Sequence, residues 1–134
     1  KNILIEIGSA SARPSQELSA WRSYVNDDVK NRKWWKEKFE NIHRIIDNGD
    51  IFWIHVIHRN KQKEKATGQT VESWYELYSH DNVTVLADPE ARIKEWVRPT
   101  GMPTIIVLNE KMELIVHSSR GIEKAFNYIL NQSK

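Results

Sequence analysis

The chain alternates short apolar strands with segments of helical periodicity, and this order constrains its fold more than any other feature. Three predicted strands, rich in Ile and Val, cover residues 1–7, 51–58 and 83–87. Two further strands, 104–108 and 114–116, are joined as a hairpin through residues 109–111. Alternating strands and helices predict parallel strands with crossover helices, and the hairpin adds an antiparallel edge. We therefore predict an α/β fold with a central mixed β-sheet flanked by helices on both faces.

The longest helical pattern follows the first strand. It runs from Ser15, whose hydroxyl can cap a helix start, to Asp47, and Gly49 supplies the turn that ends it. Its apolar stripe is spaced by three or four residues and consists of Trp35, Phe39, Ile42 and Ile46. Whether the Asn26-Asp27-Asp28 sequence divides the region into two helices stays open.

Three shorter helices are predicted further along the chain. Thr70 is the expected cap of one, and Asp88 with Pro89 at the first helical position is the expected start of the next. The final helix is predicted near residues 121–131. The inner stripe of the Asp88 helix is predicted to be Ile93, Trp96 and Val97.

Composition excludes several classes of function. The 134 residues, 40% of them apolar, suit a single domain. The net charge of +2 argues against a nucleic-acid-binding face. No apolar run could span a bilayer, and no signal peptide is visible. The sequence contains no cysteine, which rules out disulfides, thiol catalysis and thiolate metal sites in this chain. Five scattered histidines, predicted to lie at the surface or at sheet edges, indicate no metal site, and we expect no cofactor.

The segment Gly101-Met102-Pro103-Thr104 opens the fourth strand. Taken alone, Pro103 is a proline at the start of a strand, where its missing N–H is tolerated. Combined with the hairpin and the final helix, the segment resembles the thioredoxin superfamily. In that family this proline follows a cis peptide bond. The preceding residue, here Met102, offers its backbone to an extended substrate segment.

The same resemblance assigns a role to the loop after the first strand. Ala12-Arg13-Pro14-Ser15 stands where the family carries Cys-X-X-Cys. Ala12 falls on the nucleophilic cysteine and Ser15 on the resolving cysteine, beside Arg13, whose positive charge would favour a thiolate, and Pro14. Because neither Ala12 nor Ser15 has a thiol, the chain cannot exchange disulfides.

Glu6 lies six residues before Ala12, at the spacing of a buried acid in many family members. By resemblance it would carry protons to and from the resolving thiol. Burial would raise its pKa. The alternative is that Glu6 faces an exposed end of the strand.

Residues 83–104 resemble the extracytoplasmic thioredoxins of the TlpA and ResA type, thiol–disulfide oxidoreductases that reduce or exchange protein disulfides. The resemblance implies an extracytoplasmic location and a protein substrate with a thiol or disulfide, such as an apocytochrome, with a membrane electron donor. Two explanations of the missing cysteines stay open. Substitution has removed them from an oxidoreductase, or the natural protein lost them and is a redox-inert protein-binding module. A single natural cysteine at one of the two positions also fits.

Overall fold

Five strands form one mixed sheet. They are β1 (Asn2–Gly8), β2 (Ile51–Ile57), β3 (Val83–Ala87), β4 (Thr104–Leu108) and β5 (Leu114–Ser119). This computed structural model describes residues 1–119 and 122–132. The strand order is β3-β2-β1-β4-β5, with β1, β2 and β3 parallel and β4 antiparallel to both of its neighbours. The predicted mixed α/β sheet is confirmed.

Helices cover the two faces of the sheet unequally. They are α1 (Arg13–Arg22), α2 (Ile42–Asp47), α3 (Gly68–Leu77), α4 (Arg92–Val97) and α5 (Glu123–Gln132). One face packs under α1, α2, α3 and α5, with Trp21, Trp74 and Phe126 among the buried side chains. The opposite face packs under α4, whose Val97 contacts Ile7 and its neighbours. Helices on both faces were predicted, although the predicted helix start at Gly121 lies outside the described residues.

The helical region predicted for residues 15–47 is divided into two helices, the alternative left open by the sequence, and the break between them is much wider than Asn26-Asp27-Asp28. Between α1 and α2 the chain forms two short 3-10 turns, Asp28–Asn31 and Glu37–Asn41, separated by irregular backbone. Tertiary packing explains the difference, because Trp35 meets the ring of Trp21 edge-on at 4.9 Å and that of Phe39 at 5.5 Å. The spacing of the apolar residues therefore records burial against α1 and α5 and not one continuous helix. Gly49 ends α2 with a φ of 70°, as predicted.

The predicted helix caps were shifted along the chain. Ser15 caps no helix, because α1 begins two residues earlier at Arg13. Thr67 caps α3: its hydroxyl oxygen accepts the backbone N–H of Thr70, and the hydroxyl oxygen of Thr70, at the third helical position, accepts the backbone N–H of Thr67. The helix after Asp88 starts at Arg92, and the Asp88 carboxylate accepts the backbone N–H groups of residues 92 and 93 at 2.9 Å each.

The predicted inner stripe of α4 was wrong at two of three positions. Val97 is buried, but Trp96 is 63% exposed and Ile93 38% exposed. With only six residues, α4 places one side chain firmly on the sheet. Within the described ranges, no helix is long and apolar enough to cross a membrane.

Candidate functional site

The candidate site lies at the edge of the sheet where the parallel strands end. Gly8 ends β1, and the loop of residues 9–12 leads directly into α1. Thr104 at the start of β4 pairs with Ile7, so the preceding Met102-Pro103 segment lies beside the end of β1. The peptide bond between Met102 and Pro103 is cis. The fold thus places both segments singled out in the sequence at one edge of the sheet.

Backbone hydrogen bonds and ion pairs hold the residues around position 12 in place. Ala12 is half-buried; its N–H donates to the carbonyl of Ser9 at 3.1 Å, and its carbonyl accepts the N–H of Gln16 at 3.2 Å. The Arg13 side chain is 80% exposed and pairs with Glu17 at 3.3 Å, so its charge is not free to act on residue 12 as the sequence had suggested. Glu17 also accepts from Arg32 at 2.7 Å. Pro14 lies in the first turn of α1, where its missing N–H costs no helical hydrogen bond.

Ser15 is integrated into the interior. It is fully buried, and its hydroxyl oxygen accepts the backbone N–H of Ser9 at 3.3 Å. The hydroxyl groups of Ser9 and Ser11 lie 2.8 Å apart and form a second hydrogen bond in the loop. Position 15 therefore supplies a structural hydroxyl, while position 12 supplies only a methyl group.

Glu6 is fully buried beneath this loop, which excludes the alternative of an exposed strand end. Its Oε1 accepts from Arg22 Nη1 at 2.9 Å and from Trp53 Nε1 at 3.1 Å. Burial raises the pKa of the Glu6 carboxyl, in the direction expected from the sequence, and Arg22 partly offsets the rise. Arg22 is itself fully buried, at the end of α1, with its guanidinium 5.0 Å from the centre of the Trp53 ring.

His55 completes this buried cluster, and the prediction that it lies at the surface is wrong. The parallel register places it opposite Glu6, and its Nε2 lies 3.3 Å from Oε2 of that carboxylate without hydrogen-bond geometry. Burial, reinforced by the charge of Arg22, lowers the pKa of His55 well below its ordinary value, so the ring is neutral at pH 7.

Gly8 is where the buried cluster approaches the loop. A Cβ at this position would lie 2.6 Å from Nε2 of His55 and 2.8 Å from the hydroxyl oxygen of Ser15. Glycine is therefore required by close packing, because His55 of the cluster and Ser15 both approach the position that a Cβ of residue 8 would occupy.

His58 is also buried, again contrary to the sequence prediction. Its Nδ1–H donates to the carbonyl of Gly8 at 2.9 Å and fixes the end of β1. Burial is the main cause that lowers the pKa of His58, and the positive charges of Lys94 and Arg59 add to the effect. In residues 1–119 and 122–132, no group of three His, Asp or Glu side chains could hold a metal ion.

Sequence reasoning missed Arg22, Trp53 and His55 as neighbours of Glu6. The pairing of β1 with β2 would have indicated His55, because residues opposite each other in register share a face. The resulting site has a half-exposed, chemically inert position at residue 12 above a buried set of paired charges. It has no thiol that could form a disulfide bond.

Comparison with known proteins rests on the fold. No family model matches the sequence, and no curated protein is significantly similar to it. Solved structures are similar, among them the pneumococcal exposed lipoprotein thioredoxin of Streptococcus pneumoniae, with a TM-score of 0.61 and 14% identity over 100% of this chain and 85% of that one. The thioredoxin domain of a thiol–disulfide oxidoreductase from Bacteroides vulgatus gives a TM-score of 0.58 and 14% identity, over 100% of this chain and 80% of that one.

StoA from Bacillus subtilis is a third similar structure, with a TM-score of 0.54 and 14% identity over 96% of this chain and 82% of that one. At 14% identity, the similarity to these structures shows the fold alone. The solved neighbours include thioredoxins and thiol–disulfide oxidoreductases, and the present chain, which has no cysteine, has a thioredoxin-like fold.

Proposed function

We propose that this chain is a redox-inert protein-binding module that holds an extended polypeptide segment between residues 12–14 and Met102-Pro103. The observation that carries the proposal is the serine loop. Ser15 is buried and hydrogen-bonded to Ser9, which in turn bonds Ser11. A serine that is part of a loop network is better explained as a native feature than as a substitute for a thiol.

The buried acid supports the same conclusion. A carboxyl group that exchanges protons with a thiol must be free to change its charge. Here Arg22 and Trp53 both donate to Oε1 of Glu6, and the chain has no thiol with which this carboxyl could exchange a proton. Glu6 thus acts in this chain as one half of a buried ion pair with Arg22.

Binding would rely on backbone contacts. An extended segment can add to the backbone of Met102 as a strand adds to a sheet edge. The backbone N–H and C=O of Met102 form no hydrogen bond with another backbone group in residues 1–119 and 122–132, so both can pair with a ligand. Half-buried Ala12 and Pro14 would then form the opposite wall of the groove.

The partner that fits this groove is a protein segment of the kind the fold's oxidoreductases handle, with a thiol or a disulfide, and an apocytochrome is one such partner. A membrane electron donor requires a cysteine pair to accept electrons, so it is a partner only of a cysteine-bearing form. We place the protein outside the cytoplasm, supported by the similarity to a lipoprotein thioredoxin described as exposed.

A binding titration tests the proposal. The probe is reduced insulin B chain with its thiols blocked by iodoacetamide, so that no exchange can occur. Nitrogen–proton NMR spectra should shift at the amides of residues 9–15 and 101–104 and remain unchanged at the opposite sheet edge, residues 109–113. Shifts spread over the whole surface, or none, would overturn the proposal.

Matched variants separate backbone recognition from side-chain contact. Met102→Ala keeps the backbone N–H and should bind as the parent does, whereas Met102→Pro removes it and should bind at least about tenfold more weakly. Ala12→Tyr, which fills the groove from the other wall, should weaken binding similarly. If Met102→Pro is misfolded by circular dichroism, Ala12→Tyr alone decides whether the groove is the binding surface.

The rival function is an oxidoreductase whose two cysteines have been replaced, and the retained Glu6 under the loop favours it. Ala12→Cys with Ser15→Cys tests this rival by dithiothreitol-driven insulin reduction. We expect no turnover above the parent and no defined redox potential, because the Glu6 carboxyl is held by hydrogen bonds from Arg22 and Trp53 and is not free to carry a proton to a thiol. Disulfide reduction with a defined potential would instead identify a substituted oxidoreductase.

A further inference from the structure

A basic hairpin is fixed beside the groove. Residues 59–65 were predicted as a solvated loop, but Arg59 and Lys65 pair in an antiparallel bridge. The Asn60 side-chain oxygen accepts the N–H groups of Gln62 and Glu64, both at 2.9 Å. Ala10, in the loop of residues 9–12 that leads to the groove, donates its backbone N–H to the carbonyl of Arg59 at 3.0 Å, and this bond anchors the hairpin to the loop. The hairpin therefore presents its side chains at a defined place.

The hairpin presents unneutralised positive charge. Lys61 and Lys63 are exposed, and neither has an ion-pair partner in residues 1–119 and 122–132. Lys65 pairs with Glu90 at 3.1 Å, so it contributes less. Glu64 is the one carboxylate among residues 59–65, against four basic side chains. A negatively charged partner is favoured at this end of the groove.

A cavity of about 380 Å³ separates the hairpin from α3 and reaches Ala10 of the groove loop. Its walls offer hydrogen-bond donors and one positive charge: Asn60, Lys61, Gln62, Gln69, Thr70 and Trp74. Trp74 is 1% exposed, and within the described part of the chain its indole N–H has no acceptor. Because this N–H is enclosed, the groups that a ligand in the cavity can reach are the amide, hydroxyl and ammonium donors of the other wall residues.

We propose that this cavity binds the carboxylate side chain of an acidic polypeptide segment whose backbone lies in the adjacent groove. The inference rests on the proposed function and specifies its partner as acidic. The cavity is recessed, with amide, hydroxyl and ammonium donors on its walls, and these suit a single carboxylate. A membrane surface would contact the tips of Lys61 and Lys63 without entering the cavity.

Two matched peptides test the inference. Both have the same extended, cysteine-free sequence, with three Glu in one and three Gln in the other. The Glu peptide should bind about three- to tenfold more tightly at about 50 mM salt, and the difference should shrink at about 300 mM salt because exposed charges are screened. NMR shifts at residues 60–70 should accompany those at Ala12 and Met102 in the Glu peptide alone.

A charge-reversal pair locates the effect. Lys61→Glu with Lys63→Glu should abolish the preference for the Glu peptide. Arg44→Glu with Lys111→Glu applies the same charge change around a cavity at the opposite sheet edge and should leave the preference intact. If that control also abolishes the preference, net charge and not the hairpin is responsible, and the inference is overturned.

The outcomes separate this inference from the proposed function. Equal binding of both peptides, with shifts at Met102, overturns the acidic preference and leaves the proposed function standing. Glu-peptide binding with shifts at residues 60–70 and none at Ala12 or Met102 supports the carboxylate site and overturns the groove proposal. Binding to phosphatidylglycerol vesicles that depends on Lys61 and Lys63, with no peptide binding, assigns the hairpin to a membrane surface and overturns the inference.

Discussion

Residues 12–15 and the buried cluster beneath them differ in how far a substitution at one residue affects its neighbours. Arg13 is solvated, and Ala12 is half-buried with no polar side-chain atom. Glu6, Arg22 and His55 are all fully buried; Glu6 and Arg22 form an ion pair, and His55 beside them is neutral. A loop residue can therefore lose its reactive group at little cost, whereas the loss of Glu6 or Arg22 alone leaves a buried charge unpaired. The comparison explains how a thioredoxin-like fold can persist without thiol chemistry.

The largest expected effect comes from breaking the buried pair. Arg22→Met leaves the Glu6 carboxylate without its guanidinium and should lower the free energy of unfolding by about 3–5 kcal/mol. Urea denaturation measures the change. Arg13→Met removes an ion pair in which the Arg13 side chain is 80% exposed, and Glu17 keeps its pairing with Arg32, so we expect little measurable effect.

A double variant separates the loss of charge pairing from the loss of packing. Glu6→Leu together with Arg22→Met removes both charges, and most of the stability lost in Arg22→Met should return. If Arg22→Met alone unfolds no more easily than Arg13→Met, the cluster does not depend on the ion pair and the comparison between the two regions fails.

The second effect tests the contact between the two regions. Gly8→Ala places a methyl group 2.6 Å from Nε2 of His55 and 2.8 Å from the Ser15 hydroxyl, and both side chains are fully buried. We expect a loss of about 1–3 kcal/mol in the free energy of unfolding, from overpacking. Gly68→Ala is the matched control, because nothing lies within 4 Å of the added methyl group.

Making Gly8→Ala in the parent and again in Ser15→Ala gives a sharper version of this test. In Ser15→Ala one of the two close contacts is gone, so Gly8→Ala should cost less there than in the parent. An equal cost in both backgrounds would mean that the hydroxyl of residue 15 does not limit the approach of the loop to the cluster.

The fold was more predictable from the sequence than the site. Strand positions followed from runs of Ile and Val, and the edge with residues 12–15 and Met102-Pro103 followed from a resemblance in spacing. Arg22 could not be identified, because an arginine near the end of a helix is usually solvated and only the packing of α1 places it against Glu6. Trp96 was assigned to the core because helical spacing does not reveal how little of the sheet a six-residue helix can cover.

The smallest expected effect is a pH dependence that distinguishes the two regions by protonation. His55 and His58 have pKa values lowered from the ordinary 6.5, so their contribution to stability is present above pH 6.5 and is lost as the pH falls toward their folded-state values. Each can contribute a slope of at most about 1.4 kcal/mol per pH unit. Glu6 acts in the opposite sense. Its pKa is raised from 4.5, so its contribution is fully present below pH 4.5 and is lost as the pH rises through its folded-state value.

Urea denaturation between pH 7.5 and 5.5 on the parent and on His55→Phe isolates the contribution of His55, because the opposing slope from Glu6 is common to both proteins. The free energy of unfolding should fall as the pH is lowered, and His55→Phe, which keeps a ring against Trp74, should make the fall shallower. Stability that rises as the pH is lowered, and loses that rise in His55→Phe, would mean that His55 gains a proton in the folded state and pairs with Glu6 across their 3.3 Å separation. The cluster would then hold two cations around one carboxylate, and its contrast with the uncharged Ala12 position would be larger still.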